Sequence, residues 1–130
     1  MTGSCHCGAV TISLSKKPEY MFDCNCSNCK KHGVLWGYFS PSDVFISGKT
    51  KTYLRGDRDK PSSHVHFCGI CGCTTHWSPT TNISQDSMGT NMRMFASDDL
   101  QGITLHYPDG KNWSGQGAFG MRRESSSYEN

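Results

Sequence analysis

The hydrophobic positions of this 130-residue chain fall in short alternating runs, with no long helical stripe. The runs are Ala9-Val10-Thr11-Ile12-Ser13-Leu14, Leu35-Trp36-Gly37-Tyr38-Phe39, Val44-Phe45-Ile46, Thr52-Tyr53-Leu54, His64-Val65-His66-Phe67 and Ile103-Thr104-Leu105-His106-Tyr107. Each is short and rich in β-branched or aromatic residues, which predicts half-buried strands. Turn signals separate them, among them Ser40-Pro41-Ser42-Asp43, Ser47-Gly48, Arg55-Gly56-Asp57 and Pro108-Asp109-Gly110. Residues 92–100 can hold one short helix, with Ser97 as its cap and Gly102 as its stop. The pattern predicts a mainly β domain over residues 1–110. A Gly/Ser-rich tail follows over residues 111–130, loosely held apart from anchors at Phe119 and Met121.

Composition adds a difficulty. Leu, Ile, Val and Phe together number 20, about 15% of the chain, a level that combined with high net charge would suggest disorder. The net charge is only +2, so a folded domain is expected, held by something besides its core. The eight cysteines are the candidates. At about 6% of the chain they fall below the density of a disulfide scaffold. The start Met1-Thr2-Gly3-Ser4-Cys5 lacks the basic and apolar segments of a secretory signal, and no apolar stretch is long enough to cross a bilayer. These features favour a reducing, cytoplasmic setting without a membrane partner, where clustered cysteines serve metals or catalysis. The near-neutral charge and the lack of a basic run argue against a nucleic-acid partner.

The cysteines form three clusters: Cys5-His6-Cys7-Gly8, Cys24-Asn25-Cys26-Ser27-Asn28-Cys29 and Cys68-Gly69-Ile70-Cys71-Gly72-Cys73. Four thiolates around zinc sit about 2.3 Å from the metal, hence roughly 3.8 Å from one another. A Cys-x-x-Cys turn meets that spacing, and adjacent glycines let the backbone fold under the metal. Cys68 and Cys71 need two more ligands, and Cys5 and Cys7 are the best-matched suppliers. That leaves Cys24, Cys26 and Cys29, which can grip a second zinc and leave one position open. Closed four-ligand sites are structural and open three-ligand sites catalytic. A single structural zinc with spare buried thiols is the alternative.

In this order the clusters resemble the glutathione-dependent formaldehyde-activating enzyme family and its centromere protein V-like relatives. The family's Gly-x-Cys-x-Cys-Gly-x-Val is similar to Gly3 through Val10, its Cys-x-Cys-x-x-Cys-(Lys/Arg) to Cys24 through Lys30, and its Phe-Cys-x-x-Cys-Gly to Phe67 through Gly72. Gly48, Tyr53, Asn91, Arg93 and Asp109-Gly110 are weaker echoes. The resemblance implies an Mss4-like β-tent of short antiparallel strands with zinc knuckles and at most one or two short helices. It implies a structural zinc on Cys5, Cys7, Cys68 and Cys71, and a catalytic zinc on Cys24, Cys26 and Cys29, two per chain. The implied activity is carbon–sulfur lyase chemistry, joining formaldehyde to glutathione as S-hydroxymethylglutathione or reversing it. The implied partner is a small thiol or thiol adduct. Cys73 stands where the family more often has a small or hydroxyl residue.

Other residues enter as candidates around the open site. Three thiolates load the metal with negative charge, and Lys30 and Lys31 follow the cluster closely enough to offset it. His32 could act as acid, base or fourth ligand. His64 and His66 share one strand face, His6 is expected to point outward, and Trp36, Tyr38 and Phe39 could line a pocket. The competing reading is a non-catalytic zinc-binding chaperone or interaction module, which predicts a closed second site and an exposed apolar patch.

Overall fold

The computed structural model describes residues 1–82 and 86–130. Its strands in chain order are β1 (Thr2–Ser4), β2 (Thr11–Leu14), β3 (Tyr20–Phe22), β4 (Trp36–Phe39), β5 (Val44–Ser47), β6 (Thr50–Leu54), β7 (Ser63–Cys68), β8 (Thr74–Pro79), β9 (Met88–Asn91), β10 (Thr104–His106) and β11 (Ser126–Ser127). The α-helices among the described residues are α1 (Ser27–His32) and α2 (Ser97–Leu100). The architecture is therefore mainly β with two short helices, as the alternating pattern predicts. Neither helix is long and apolar enough to cross a membrane.

The strands make a small sheet in the order β1-β2-β5 and a large one in the order β11-β10-β3-β4-β9-β8-β7-β6. Pairing is antiparallel except between β10 and β3. The core lies where the alternation of β2 turns Ile12 and Leu14 inward to meet Met21, Phe39, Met92 and Leu100. Full burial of a side chain such as Ile12 stabilises the fold by about 1.5–3 kcal/mol.

The large sheet has a second face with different contents. Along β4, Phe39 joins the core, while Trp36 faces the other way and packs with Val34 and Trp77. Successive side chains on a strand point to opposite faces, so Tyr38 shares the face of Trp36. In register, Tyr53 pairs with Val65, Val65 with Trp77, and Phe22 with Trp36. This second face consequently carries an aromatic surface, with Phe22 5.1 Å from Tyr38 and Tyr38 5.9 Å from Trp77 between ring centres.

Two regions differ from the sequence expectation. The 92–100 stretch divides into a 3-10 turn at Met92–Met94 and α2, whose cap is Ala96 instead of Ser97. In the tail expected to be loosely held, β11 pairs with β10, the Tyr107 hydroxyl meets Ser126 Oγ at 2.7 Å, and Tyr128 packs against the core.

Candidate metal centres

Two groups of cysteines bring their sulfurs within 4.8 Å of one another: Cys5, Cys7, Cys68 and Cys71, and separately Cys24, Cys26 and Cys29. All eight cysteines are free. In the first group Cys7 Sγ lies 3.7 Å from both Cys5 Sγ and Cys68 Sγ. That spacing matches the roughly 3.8 Å edge of a zinc–sulfur tetrahedron and is far too long for a disulfide bond. The sequence places the backbone under these sulfurs: Gly8 and Gly72 adopt φ of 81° and 77°, which a side chain would strain. Val10 N–H donates to Cys5 Sγ at 3.2 Å and Ile70 N–H to Cys68 Sγ at 3.4 Å. Backbone N–H groups of Cys7 and Cys73 pull the Cys71 thiol down to about 6. The donor set is thus built for thiolates around a soft divalent cation. It staples the end of β7 to the loop after β1.

The second group sits where β3 leads into α1. Cys26 is the N-cap of α1, and its sulfur accepts the Cys29 N–H at 3.4 Å. Gly33 closes the other end of the helix, donating its N–H to the carbonyls of Cys29 and Lys30. Cys24 Sγ faces the Cys26 N–H at 3.5 Å, and the Trp36 indole N–H donates to Cys29 Sγ at 3.3 Å. The Cys24 thiol and then the Cys29 thiol hydrogen-bond to Cys26 and hold its thiol below the ordinary range. The same sulfur contacts, reinforced by burial, push Cys29 strongly up. Three thiols competing in this way for protons fit a cation that would let all three ionise together.

A turn closes over the sulfurs from the far end of the chain. Asn25 donates from Nδ2 to Asp109 Oδ1 at 2.8 Å and accepts the Lys111 N–H at 2.9 Å, while Asn112 Nδ2 donates to Asp109 Oδ2 at 2.8 Å. These bonds press Gly110 against the site, where a Cβ would lie 2.5 Å from Cys24 Sγ and 3.0 Å from Cys26 Cβ. Only glycine fits there.

The other sequence candidates disperse. His32 is outside both sulfur groups; its Nδ1 meets Thr74 Oγ1 at 3.1 Å and its ring packs on Tyr53. Cys73 belongs to neither group and packs partly buried against the core. Lys30 and Lys31 are exposed in the last turn of α1. His6 is exposed. His64 and His66 alternate with Val65, which places them on the sheet face opposite Trp77. There His66 stacks on His76 with centroids 4.0 Å apart and exchanges hydrogen bonds with Thr50 and Ser78 hydroxyls. Burial, then the neighbouring His66, pull His76 down to about 3. Of the aromatic candidates, Trp36 and Tyr38 border the tri-cysteine group and Phe39 is core. Sequence reasoning missed Phe22 and Trp77 on that face, Gly110 as its lid, and Arg55, whose guanidinium interacts with Cys26. The one signal in the sequence was Asp109-Gly110, an echo of the family pattern.

With both sulfur groups assembled, the sequence can be matched to its relatives. The profile of the glutathione-dependent formaldehyde-activating enzyme family matches residues 1–105. The chain belongs to this family. The family match spans both sulfur groups and strands β1 to β9, and the mainly β architecture is the one the resemblance implied. A crystal structure of a Rhodobacter sphaeroides protein is similar at 29% identity, with a TM-score of 0.59 over 73% of this chain and 87% of that one.

Proposed function

We propose that this protein is a zinc-dependent carbon–sulfur lyase that makes or breaks the bond between a thiol sulfur and the carbon of a small aldehyde. The substrate class is an S-hydroxymethylglutathione-like adduct. The observation that carries this reading is the contrast between the two sulfur groups. Cys5, Cys7, Cys68 and Cys71 offer four ligands, whereas Cys24, Cys26 and Cys29 offer three, with no fourth histidine, cysteine or carboxylate among the described residues. A zinc held by three thiolates supplies an exchangeable position at which a substrate thiol binds as its thiolate, the nucleophilic form.

The chain's own residues then have separable tasks. Cys26 and Cys29 are oriented by the first turn of α1 and by the Trp36 indole, and Cys24 by the turn at Gly110. Phe22, Tyr38 and Trp77 keep water from the open side. A cleft of about 220 Å³ lies beside Tyr20 and Tyr38 at the edge of this aromatic surface and carries Lys16, Lys17 and Glu19 on its rim. Its two lysines suit a carboxylate of a thiol such as glutathione. The free thiols suit a reducing, cytoplasmic compartment.

The test is exchange NMR on formaldehyde mixed with glutathione or with 2-mercaptoethanol. The protein should accelerate adduct interconversion with at least one of them, and removal of zinc by a chelator should abolish the effect. No acceleration with either thiol would refute the lyase. The interaction-module reading draws on Phe45 and Ile46, exposed on edge strand β5. It has no use for a three-sulfur group set against an aromatic face.

A further inference from the structure

We propose that Arg55 is the charge-balancing residue of the tri-cysteine centre, placed to offset its thiolates and so to admit a fourth, anionic sulfur. The inference rests on the reading that Cys24, Cys26 and Cys29 hold a metal, and it assigns a role the cysteine pattern does not contain.

The placement follows from three contacts. Arg55 directly follows β6, where Lys51, Thr52, Tyr53 and Leu54 are all exposed, yet its own side chain is only 16% exposed. The guanidinium is fixed by a fork onto Asp57, with Nε to Oδ1 and Nη2 to Oδ2 both at 2.7 Å. The end of β6 is drawn over α1 by the packing of Tyr53 on His32, 5.7 Å between centroids. Beyond Asp57 the turn continues into Arg58, which lies over the Trp113 ring at 5.5 Å. Trp113 follows the Gly110–Asn112 turn that covers Cys24. The 55–58 turn is thus bracketed between α1 and the 109–113 segment that covers Cys24, with the Arg55 side chain turned inward. The Asp57 fork first, and the nearby Cys26 charge after it, hold the guanidinium more firmly protonated than usual.

The charges explain why such a residue is needed. Three thiolates and a divalent cation carry a net −1, and a bound thiolate makes it −2. Lys30 and Lys31 are exposed, so water and salt screen their charge from the sulfurs. Arg55 is shielded from water while Asp57 is 56% exposed. Water screens the carboxylate more than the guanidinium, so the centre feels a residual positive charge. Arginine suits this role because it stays protonated and its planar fork can hold Asp57 on one edge while meeting the sulfur with another.

Cobalt(II) titration of the full chain tests this directly, since three-sulfur and four-sulfur centres differ in their visible spectra. Arg55→Met should weaken cobalt binding at the tri-cysteine centre about 10- to 100-fold, the usual effect of losing a partner of a metal ligand. The four-cysteine centre should be unchanged. With cobalt bound, Arg55→Met should weaken 2-mercaptoethanol binding about tenfold and leave neutral imidazole unaffected, while Arg55→Lys recovers part of the loss. If Arg55→Met fails to fold, Arg55→Gln carries the same measurement, with the same expected loss of thiol over imidazole. Equal loss of thiol and imidazole would mean a merely structural role and overturn the proposal, as would unchanged affinities in Arg55→Met. A wild-type chain that takes only one cobalt would overturn the metal reading itself. A chain whose second cobalt accepts no thiol, but binds more weakly in Arg55→Met, would sink the lyase and the admission of a fourth sulfur, and keep the offsetting of the three thiolates.

Discussion

Gly110 offers a way to damage one metal centre and spare the other. Its φ lies outside the left-handed region, so Gly110→Ala meets no backbone penalty and acts through its methyl group alone. That methyl would lie 2.5 Å from Cys24 Sγ and 3.0 Å from Cys26 Cβ, against ordinary contacts of about 3.5–4.0 Å. Either the turn or Cys24 must therefore move by roughly 1 Å. The turn is pinned by the bonds joining Asn25, Asp109, Lys111 and Asn112, so Cys24 is the partner that yields. Overpacking of this kind costs about 1–3 kcal/mol. Charged against metal binding at about 1.4 kcal/mol per tenfold, that is roughly a 5- to 150-fold loss of zinc affinity. A chromogenic zinc chelator titrated against the purified protein measures it, with the four-cysteine centre as internal control and circular dichroism reporting the fold. The expected variant is folded, keeps one zinc at wild-type affinity and releases the other early. Wild-type affinity at both centres would refute the packing argument, and loss of both would mean that Gly110 serves the fold as a whole.

The remaining predictions address the division of roles and the buried histidines. Cys68→Ala should unfold the chain, because structural zinc contributes folding free energy, whereas Cys26→Ala should leave a folded protein with one zinc and no lyase activity. Equal loss of structure by circular dichroism would show that the clusters do not divide in this way. Trp36→Phe removes the N–H that reaches Cys29 Sγ at 3.3 Å, a bond worth about 0.5–1.5 kcal/mol; zinc affinity at the tri-cysteine centre should fall about 2- to 12-fold by the same chelator competition. His76 is held near 3 in the folded state against about 6.5 when unfolded. The unfolded chain thus binds the extra proton, and stability, full above pH 6.5, falls as pH drops from 6.5 towards 3. At pH 5.5 the loss from this residue is about 1.4 kcal/mol, so the drop in urea stability between pH 7.5 and 5.5 should be smaller by that amount in His76→Gln. An equal drop in both proteins would show that His76 is not the source.

Local patterns make much of the molecule legible from its residues alone. The alternation at Ala9–Leu14, Leu35–Phe39, Val44–Ile46 and Thr52–Leu54 is a property of each segment, and the strands there run over Thr11–Leu14, Trp36–Phe39, Val44–Ser47 and Thr50–Leu54. The segments left out are those whose pattern is weak in isolation. Strand β9, Met-Gly-Thr-Asn, is buried on both faces and so shows no alternation, and β1 and β3 are three residues long. The helix α1 has no apolar stripe at all, because it is held by its cap on Cys26 and by Gly33.

The order of residues is enough to set the ligand types, their spacing within each cluster and the family. Those follow from covalent neighbours: Cys-x-x-Cys and Cys-x-Cys fix sulfurs a few residues apart whatever surrounds them. What faces the sulfurs from elsewhere in the chain is a matter of tertiary packing. Lys30 and Lys31 are adjacent in sequence yet exposed, so water and salt screen their charge from the sulfurs. Arg55 and Gly110, 29 and 84 residues from Cys26, reach the centre because β6 packs over α1 and the Asn25–Asp109 bond ties the 109–112 turn down. No local signal encodes such approaches, since they depend on how two sheets and a short helix pack together.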